Sequence, residues 1–172
     1  MAVTEHQGKA HRAIRCAVIT ASDTRTLETD TSGKKIKDLL VAQSHPLVSY
    51  QILKDEPNQI AAAVRTLLEE PDVDAIIING GTGIAPRDTT FEAIRGLLEK
   101  EISGFGEFFR MLSYQEIGSA AMLTRATAGV AKGKVVISLP GSTGAVELGM
   151  TKLVLPELGH MLFLLRGERH AH

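Results

Sequence analysis

Ala75-Ile76-Ile77-Ile78-Asn79, then Gly80-Gly81-Thr82-Gly83, then Ile84-Ala85-Pro86-Arg87-Asp88-Thr89-Thr90-Phe91-Glu92: this stretch decides the fold. Its opening apolar run is mostly β-branched and has no polar face, as expected of a strand covered on both sides in the middle of a parallel sheet. The glycines end that strand. Lacking Cβ atoms, they let the backbone take positive φ and approach a ligand closely, with the Thr82 hydroxyl at the tip. Pro86 delays the next helix, and Asp88 or Thr89 can cap it with Glu92 near capping-box spacing. Strand, glycine turn and capped helix place main-chain N–H groups at a strand's carboxyl end, where anions bind, so a phosphate-bearing ligand is expected there. Glycine also serves ordinary strand-to-helix connections, and capping alone would account for Asp88. No Lys-Ser/Thr follows the turn and no Gly-x-Gly-x-x-Gly occurs, which excludes the P-loop and the dinucleotide fingerprint.

Outward from this stretch the chain alternates strands and helices. An apolar run from Ile14 to Thr20 gives a strand that opens into a long polar loop, Ala21 to Gly33, rich in Ser, Thr and Asp. Such residues are turn formers and caps, but a long loop at a strand's carboxyl end is also where binding residues gather. A helix is expected from about Gly33 to Gln43, a strand from Leu47 to Leu53, and a helix begun by Pro57 and ended by Pro71. Asp55 sits where that strand becomes that helix, a position capping explains on local grounds. Phe91, Ile94, Leu97 and Leu98 define the helix after the glycine turn. Three phenylalanines then gather between Ile102 and Leu112, where aromatic density fits core or a subunit interface better than a stacking platform, and an interface is expected. Strands follow over Thr124–Ala131 and Lys134–Leu139, joined by Lys132-Gly133. The second enters Pro140-Gly141-Ser142-Thr143-Gly144, another small-residue turn that Ser142 or Thr143 can cap. Two anion-type turns at one sheet edge suit a ligand with phosphates at both ends. A closing helix spans Pro156 to Arg166, with His160 packed rather than catalytic. The pattern predicts a three-layer α/β/α sandwich with a mostly parallel central sheet.

The 172-residue length suits one domain, residues 14–172, preceded by a flexible arm over 1–13. A net charge of −1 gives no general attraction to nucleic acid or an anionic membrane, so any anion site must be local. The single cysteine, Cys16, lies in an apolar run and reads as a buried hydrophobe, and a reducing cytoplasm is the expected setting. Neither a signal sequence nor an apolar run of membrane-spanning length is apparent.

With these residues laid out, the sequence resembles the MoaB/MogA family of molybdenum cofactor biosynthesis proteins from about Ile14 to Leu165. The likeness rests on Ser22-Asp23, Asp30-x-Ser32-Gly33, Asp55-Glu56, Gly80-Gly81-Thr82-Gly83, Pro86-Arg87-Asp88-x-Thr90, Gly104-Phe105-Gly106-Glu107 and Leu139-Pro140-Gly141. The resemblance implies a domain that binds molybdopterin and, in active members, adenylylates its terminal phosphate with Mg-ATP, releasing pyrophosphate. It implies Asp88 and Asp55 as the catalytic residues, with magnesium assigned first to Asp88 and Asp55 either sharing it or orienting the pterin amines. It places Ser22, Asp23, Asp30, Ser32, Gly33, Thr90, Pro140, Gly141, Ser142 and Thr143 with Gly80–Gly83 around substrate and nucleotide. Arg87 and Lys54 are candidate counter-charges. It also implies a cytoplasmic homo-oligomer, a trimer or hexamer, with other cofactor-biosynthesis proteins as partners. Ser142-Thr143-Gly144 after Leu-Pro-Gly follows the MoaB-like variant rather than the MogA-like one. A non-catalytic pterin carrier and an oligomeric scaffold are the alternatives to an adenylyltransferase.

Overall fold

The computed structural model describes residues 12–167, so most of the expected arm lies outside the described residues. The elements run β1 (Cys16–Ala21), α1 (Thr31–Ala42), β2 (Leu47–Leu53), α2 (Pro57–Glu69), β3 (Ala75–Asn79), α3 (Thr90–Arg95), β4 (Lys100–Glu101) and α4 (Ser103–Ile117). A 3₁₀ turn (Gly118–Leu123) leads to β5 (Thr127–Ala131), β6 (Lys134–Leu139), α5 (Thr143–Gly149), a π-helical turn (Met150–Val154) and α6 (Leu155–Leu165). The sheet order is β2-β1-β3-β6-β5-β4. The first four of these strands are parallel, and β5 runs antiparallel to both of its neighbours.

Alternation along each central strand feeds two cores. Cys16, Val18, Ala75, Ile77, Val135 and Ile137 face one helical layer, which contributes Ile36, Leu40, Phe105, Phe109, Val154 and Leu158. Ala17, Ile19, Ile76, Ile78 and Val136 face the other, with Ile60, Val64 and Leu67 from α2 and Ile94 from α3. The unbroken run at residues 75–79 follows from this: with a core on each side, every side chain of β3 is buried. Cys16 is wholly buried, and burial first, then the Asp74 charge, pushes its thiol up to about 12, so it packs as a small hydrophobe.

Several local expectations are corrected. The helix after the glycine turn stops at Arg95, and Leu97 and Leu98 instead pack half-buried under the turn into β4, a short strand the pattern did not reveal. Strand β5 begins at Thr127 rather than Thr124. Of the three clustered phenylalanines, Phe105 and Phe109 enter the core as a stacked pair 6.5 Å apart, and only Phe108 is exposed. The closing helix is continuous with α5, giving 23 helical residues, Thr143–Leu165, with an 18-residue window of mean hydropathy 1.3. By length and composition alone that helix could cross a membrane, although Glu147, Lys152 and Glu157 interrupt its apolar run. Its Val146, Met150, Val154, Leu158 and Leu162 are spent on the sheet's core.

Candidate functional site

In the order β2-β1-β3-β6, chain direction makes β1 and β3 the point where successive connections leave in opposite directions, and ligands of open α/β sheets lie at that crevice. Thr20 pairs with Asn79 and Asn79 with Leu139, so the loops after β1, β3 and β6 leave the sheet side by side. They are in close contact. The Gly80 N–H donates to Leu139 O at 3.0 Å, a Cβ on Gly80 (φ +99°) would sit 2.2 Å from Ala21 O, and one on Gly141 would sit 3.2 Å from Gly80 Cα. Only glycine lets the three loops come this close.

Above them lies a cavity of about 520 Å³ lined by Ser22, Asp55, Gly80 to Gly83, Asp88, Pro140 and Gly141. The two small-residue turns and the two aspartates named from the sequence therefore share one opening. Thr24, Arg25, Leu123 and Thr124 also line it and were not singled out in the sequence.

The glycine turn presents one edge of its peptides to the protein. Gly81 O accepts from Thr90 N–H (3.1 Å), Thr82 O from Arg125 N–H (2.9 Å) and Gly83 O from the Arg125 guanidinium (2.7 and 3.0 Å). A trans peptide carries its N–H opposite its C=O. Among the described residues the N–H groups of Thr82, Gly83 and Ile84 have no acceptor, and Thr82 and Gly83 line the cavity. Successive free N–H groups of this kind suit an anion.

Neither aspartate caps a helix. The α2 N-cap is Glu56 and the α3 N-cap is Thr89, neither with a side-chain cap bond. Asp88 Oδ2 accepts from Ala85 N–H at 3.0 Å, closing its own loop, and lies 2.7 Å from where a Gly83 Cβ would be. Asp55 Oδ1 is a buried oxygen without a hydrogen-bond partner. Burial, then the negative charges of Asp23 and Asp88, raise the Asp55 carboxyl above its ordinary value. Thr90, wholly buried behind Gly81, also has an unpartnered hydroxyl oxygen.

The remaining expected residues form the rim and floor. Arg87 forks onto Asp23 at 2.9 and 3.0 Å and reaches Glu56 at 2.9 Å, while Asp23 also accepts the Asp55 N–H at 3.1 Å. The hydrogen bond from Arg87 above all holds the Asp23 carboxyl below its ordinary value. Arg87 thus ties three loops together at the rim and does not line the cavity. Asp30, only 2% exposed, caps α1 through Gly33 N–H (3.0 Å) and accepts from Ser32 and the Tyr50 hydroxyl. Burial drives the Asp30 carboxyl up, but hydrogen bonds from Thr20, Tyr50, Gly33 and Ser32 outweigh it and leave it lowered; the Tyr50 hydroxyl is pushed up to about 12. The same Ser32 O–H is shared with Asn79 Oδ1, which lies closer at 2.7 Å. Asp30, Ser32 and Gly33 therefore lie beneath the cavity rather than on it. Ser142 caps α5 through Ala145 N–H (3.2 Å), and Thr143 meets the Thr31 hydroxyl at 3.0 Å.

The cation in the cavity wall is Arg25. Its Nη1 contacts Ser32 and, at 3.4 Å, Asp30, and its Nη2 donates to Gly141 O at 2.8 Å. Among the described residues this leaves the Nε–H and one Nη2 hydrogen without acceptors. The signal available in the sequence was the only arginine in the polar loop, masked because an arginine between threonines reads as surface.

The chain matches the family model described as "Probable molybdopterin binding domain" over residues 17–160. It is 54% identical over 163 residues to molybdenum cofactor biosynthesis protein B of Halalkalibacterium halodurans, covering 94% of this chain and 96% of that protein. A crystal structure of a molybdenum cofactor biosynthesis protein B superposes with a TM-score of 0.90 at 53% identity, covering 93% of this chain and all of that one. The tungsten cofactor synthesizing protein MoaB of Pyrococcus furiosus gives 0.81 at 38% identity, covering 90% and 98%. The six-stranded sandwich, its edge-of-sheet cavity and these matches lead to one assignment: the chain belongs to the molybdopterin-binding domain family of molybdenum cofactor biosynthesis.

Proposed function

We propose that this cavity binds molybdopterin and Mg-ATP together and transfers an adenylyl group to the pterin's terminal phosphate. An oxygen of that phosphate forms a bond to the α-phosphorus of ATP while the bond from that phosphorus to the β-phosphate bridging oxygen breaks, and pyrophosphate leaves with the electron pair. Two polyanions must be held in line, so positioning and charge neutralisation carry most of the barrier reduction. The Thr82, Gly83 and Ile84 N–H groups hold one phosphate, the turn at Gly141-Ser142 a second, and Arg25 supplies the cationic wall.

The observation that carries this reading is Asp55 Oδ1, a buried carboxylate oxygen left unpartnered on a residue that lines the same cavity as Thr82 and Gly83, whose N–H groups are free. Among the described residues no three acidic, histidine or cysteine side chains cluster as a metal cage. One or two carboxylates fit magnesium, which keeps several waters and takes its other oxygens from phosphates. Asp55 and Asp88 would hold it, and when bound it neutralises phosphate charge.

The test is single-turnover formation of adenylylated pterin from purified protein, molybdopterin and Mg-ATP. Asp88→Asn is expected to lower turnover by about two orders of magnitude or more with the fold retained. Near-normal pyrophosphate release by a folded Asp88→Asn protein would remove Asp88 from the mechanism. Retention of pterin without pyrophosphate release by the wild type would make the protein a carrier.

On this reading the protein works in the cytoplasm as a homo-oligomer. Phe108, Met111, Tyr114 and Ile117 recur at helical spacing on α4 and are more than half exposed, an apolar stripe that a second copy would cover. Light scattering checks the assembly, and Phe108→Glu is expected to shift it toward monomer.

A further inference from the structure

Arg125 stands between the 3₁₀ turn and β5, and its side chain is 28% exposed. It does not line the cavity. Half of its six N–H hydrogens are directed at carbonyls of the glycine turn, from outside the cavity. The main-chain N–H takes Thr82 O at 2.9 Å, Nε and Nη2 take Gly83 O at 3.0 and 2.7 Å, and Nη2 also takes Asp88 O at 2.9 Å. Nη1 meets the Glu92 carboxylate, and the guanidinium carbon lies 5.2 Å from the Phe91 ring centroid, so both its edge and its face are fixed. One planar cation therefore holds carbonyls from both ends of the loop that carries Asp88.

We propose that Arg125 is the positioning residue of the phosphate turn. Its main-chain N–H fixes the Thr82 carbonyl, its guanidinium fixes the Gly83 carbonyl and so the direction of the Gly83–Ile84 peptide beside the cavity that Thr82 and Gly83 line, and through Asp88 O it anchors the main chain of that aspartate. The proposal rests on the phosphate reading above. It adds that the affinity of the turn depends on a side chain that touches no ligand. The fork matters more than the charge: a lysine supplies the same charge as a point and cannot grip two carbonyls in one plane.

Inorganic pyrophosphate is the probe, titrated calorimetrically into wild type, Arg125→Ala and Arg125→Lys, with amide chemical shifts of Gly83 and Ile84 followed by NMR. Both variants are expected to lose about tenfold or more in pyrophosphate affinity and to shift both amides. Millimolar guanidinium ion should restore much of the affinity to Arg125→Ala and none to Arg125→Lys, whose side chain fills the space. Wild-type affinity in Arg125→Lys, or unmoved amides in a folded Arg125→Ala, would overturn the proposal. If Arg125→Ala does not fold, Arg125→Lys, which keeps the aliphatic stem over Phe91, decides by the same two readouts. If the wild type binds no pyrophosphate, the phosphate reading falls by itself, and the amide shifts still decide whether Arg125 positions the turn.

Discussion

The two edges of the sheet each carry a carboxylate withdrawn from solvent, Asp74 buried and Asp55 half-buried, and they treat them in opposite ways. At the amino edge Asp74 accepts from Arg15 N–H, Nε and Nη2 at 2.9 to 3.0 Å and from Arg166 Nη2 at 3.1 Å. Burial pushes the Asp74 carboxyl up, and the Arg15 hydrogen bonds outweigh it and hold it low. At the carboxyl edge Asp55 faces two other acids, keeps a buried oxygen unpartnered and is raised. Buried polar groups are normally satisfied, so on the proposed function this orphan, in the cavity that Thr82 and Gly83 also line, is one that the ligand or its metal completes. The amino edge is a fastener joining β1, β3 and the end of α6. The carboxyl edge is left energetically unfinished.

The largest effect that would sharpen this contrast is at the fastener. Asp74→Ala strands Arg15 without its fork and is expected to cost about 2–4 kcal/mol. Urea unfolding should show a lower midpoint with an unchanged slope, while pyrophosphate affinity of the folded fraction stays the same. A loss of affinity without a loss of stability would invert the comparison.

A smaller stability effect with a larger functional one is expected at Gly81. Its φ of +67° is strained for alanine, and the added Cβ would lie 2.2 Å from Thr90 Oγ1 and 3.2 Å from Asp55 Oδ1. Gly81→Ala should cost about 1–3 kcal/mol, with pyrophosphate binding lost in the folded protein. Retained binding would mean that the turn does not hold the anion.

The carboxyl edge was the more legible of the two. Uninterrupted β-branched runs ending in glycine or proline mark strands with turns at their carboxyl ends, because a doubly covered strand needs apolar residues on both faces and a close backbone approach needs glycine. Neighbour relations in the sheet were not legible, since pairing β6 with β3 brings together strands with nothing local in common. The partners of the arginines were not legible either. Arg87, nominated as a counter-charge, is consumed by Asp23 and Glu56, whereas Arg25 and Arg125 act on loops distant in sequence, where only the fold reveals their partners. Asp30, placed by resemblance with the ligand, is committed to Tyr50 and the start of α1. Its sequence neighbourhood did not distinguish floor from wall.

The smallest predicted effect compares the two edges as pH changes. Asp74, lowered on folding, contributes stability that is fully present above the ordinary carboxylate value and lost as pH falls through its depressed one. Asp55, raised on folding first by burial and then by Asp23 and Asp88, works the other way: the folded chain holds its proton more tightly, so stability declines as pH rises from the ordinary carboxylate range through the raised value. Asp55→Asn removes that decline and leaves the Asp74 dependence intact. In metal-free buffer near neutrality the variant should equal or exceed the wild type by a few tenths of a kcal/mol, the screened worth of a partly exposed group. The difference should shrink as pH falls below the ordinary carboxylate range, where both proteins carry a neutral group at this position. Thermal melts across that range measure it. A neutral-pH destabilisation by Asp55→Asn would show the Asp55 carboxylate to be a structural fastener like Asp74, because only a charge already satisfied by its surroundings is missed when it is removed.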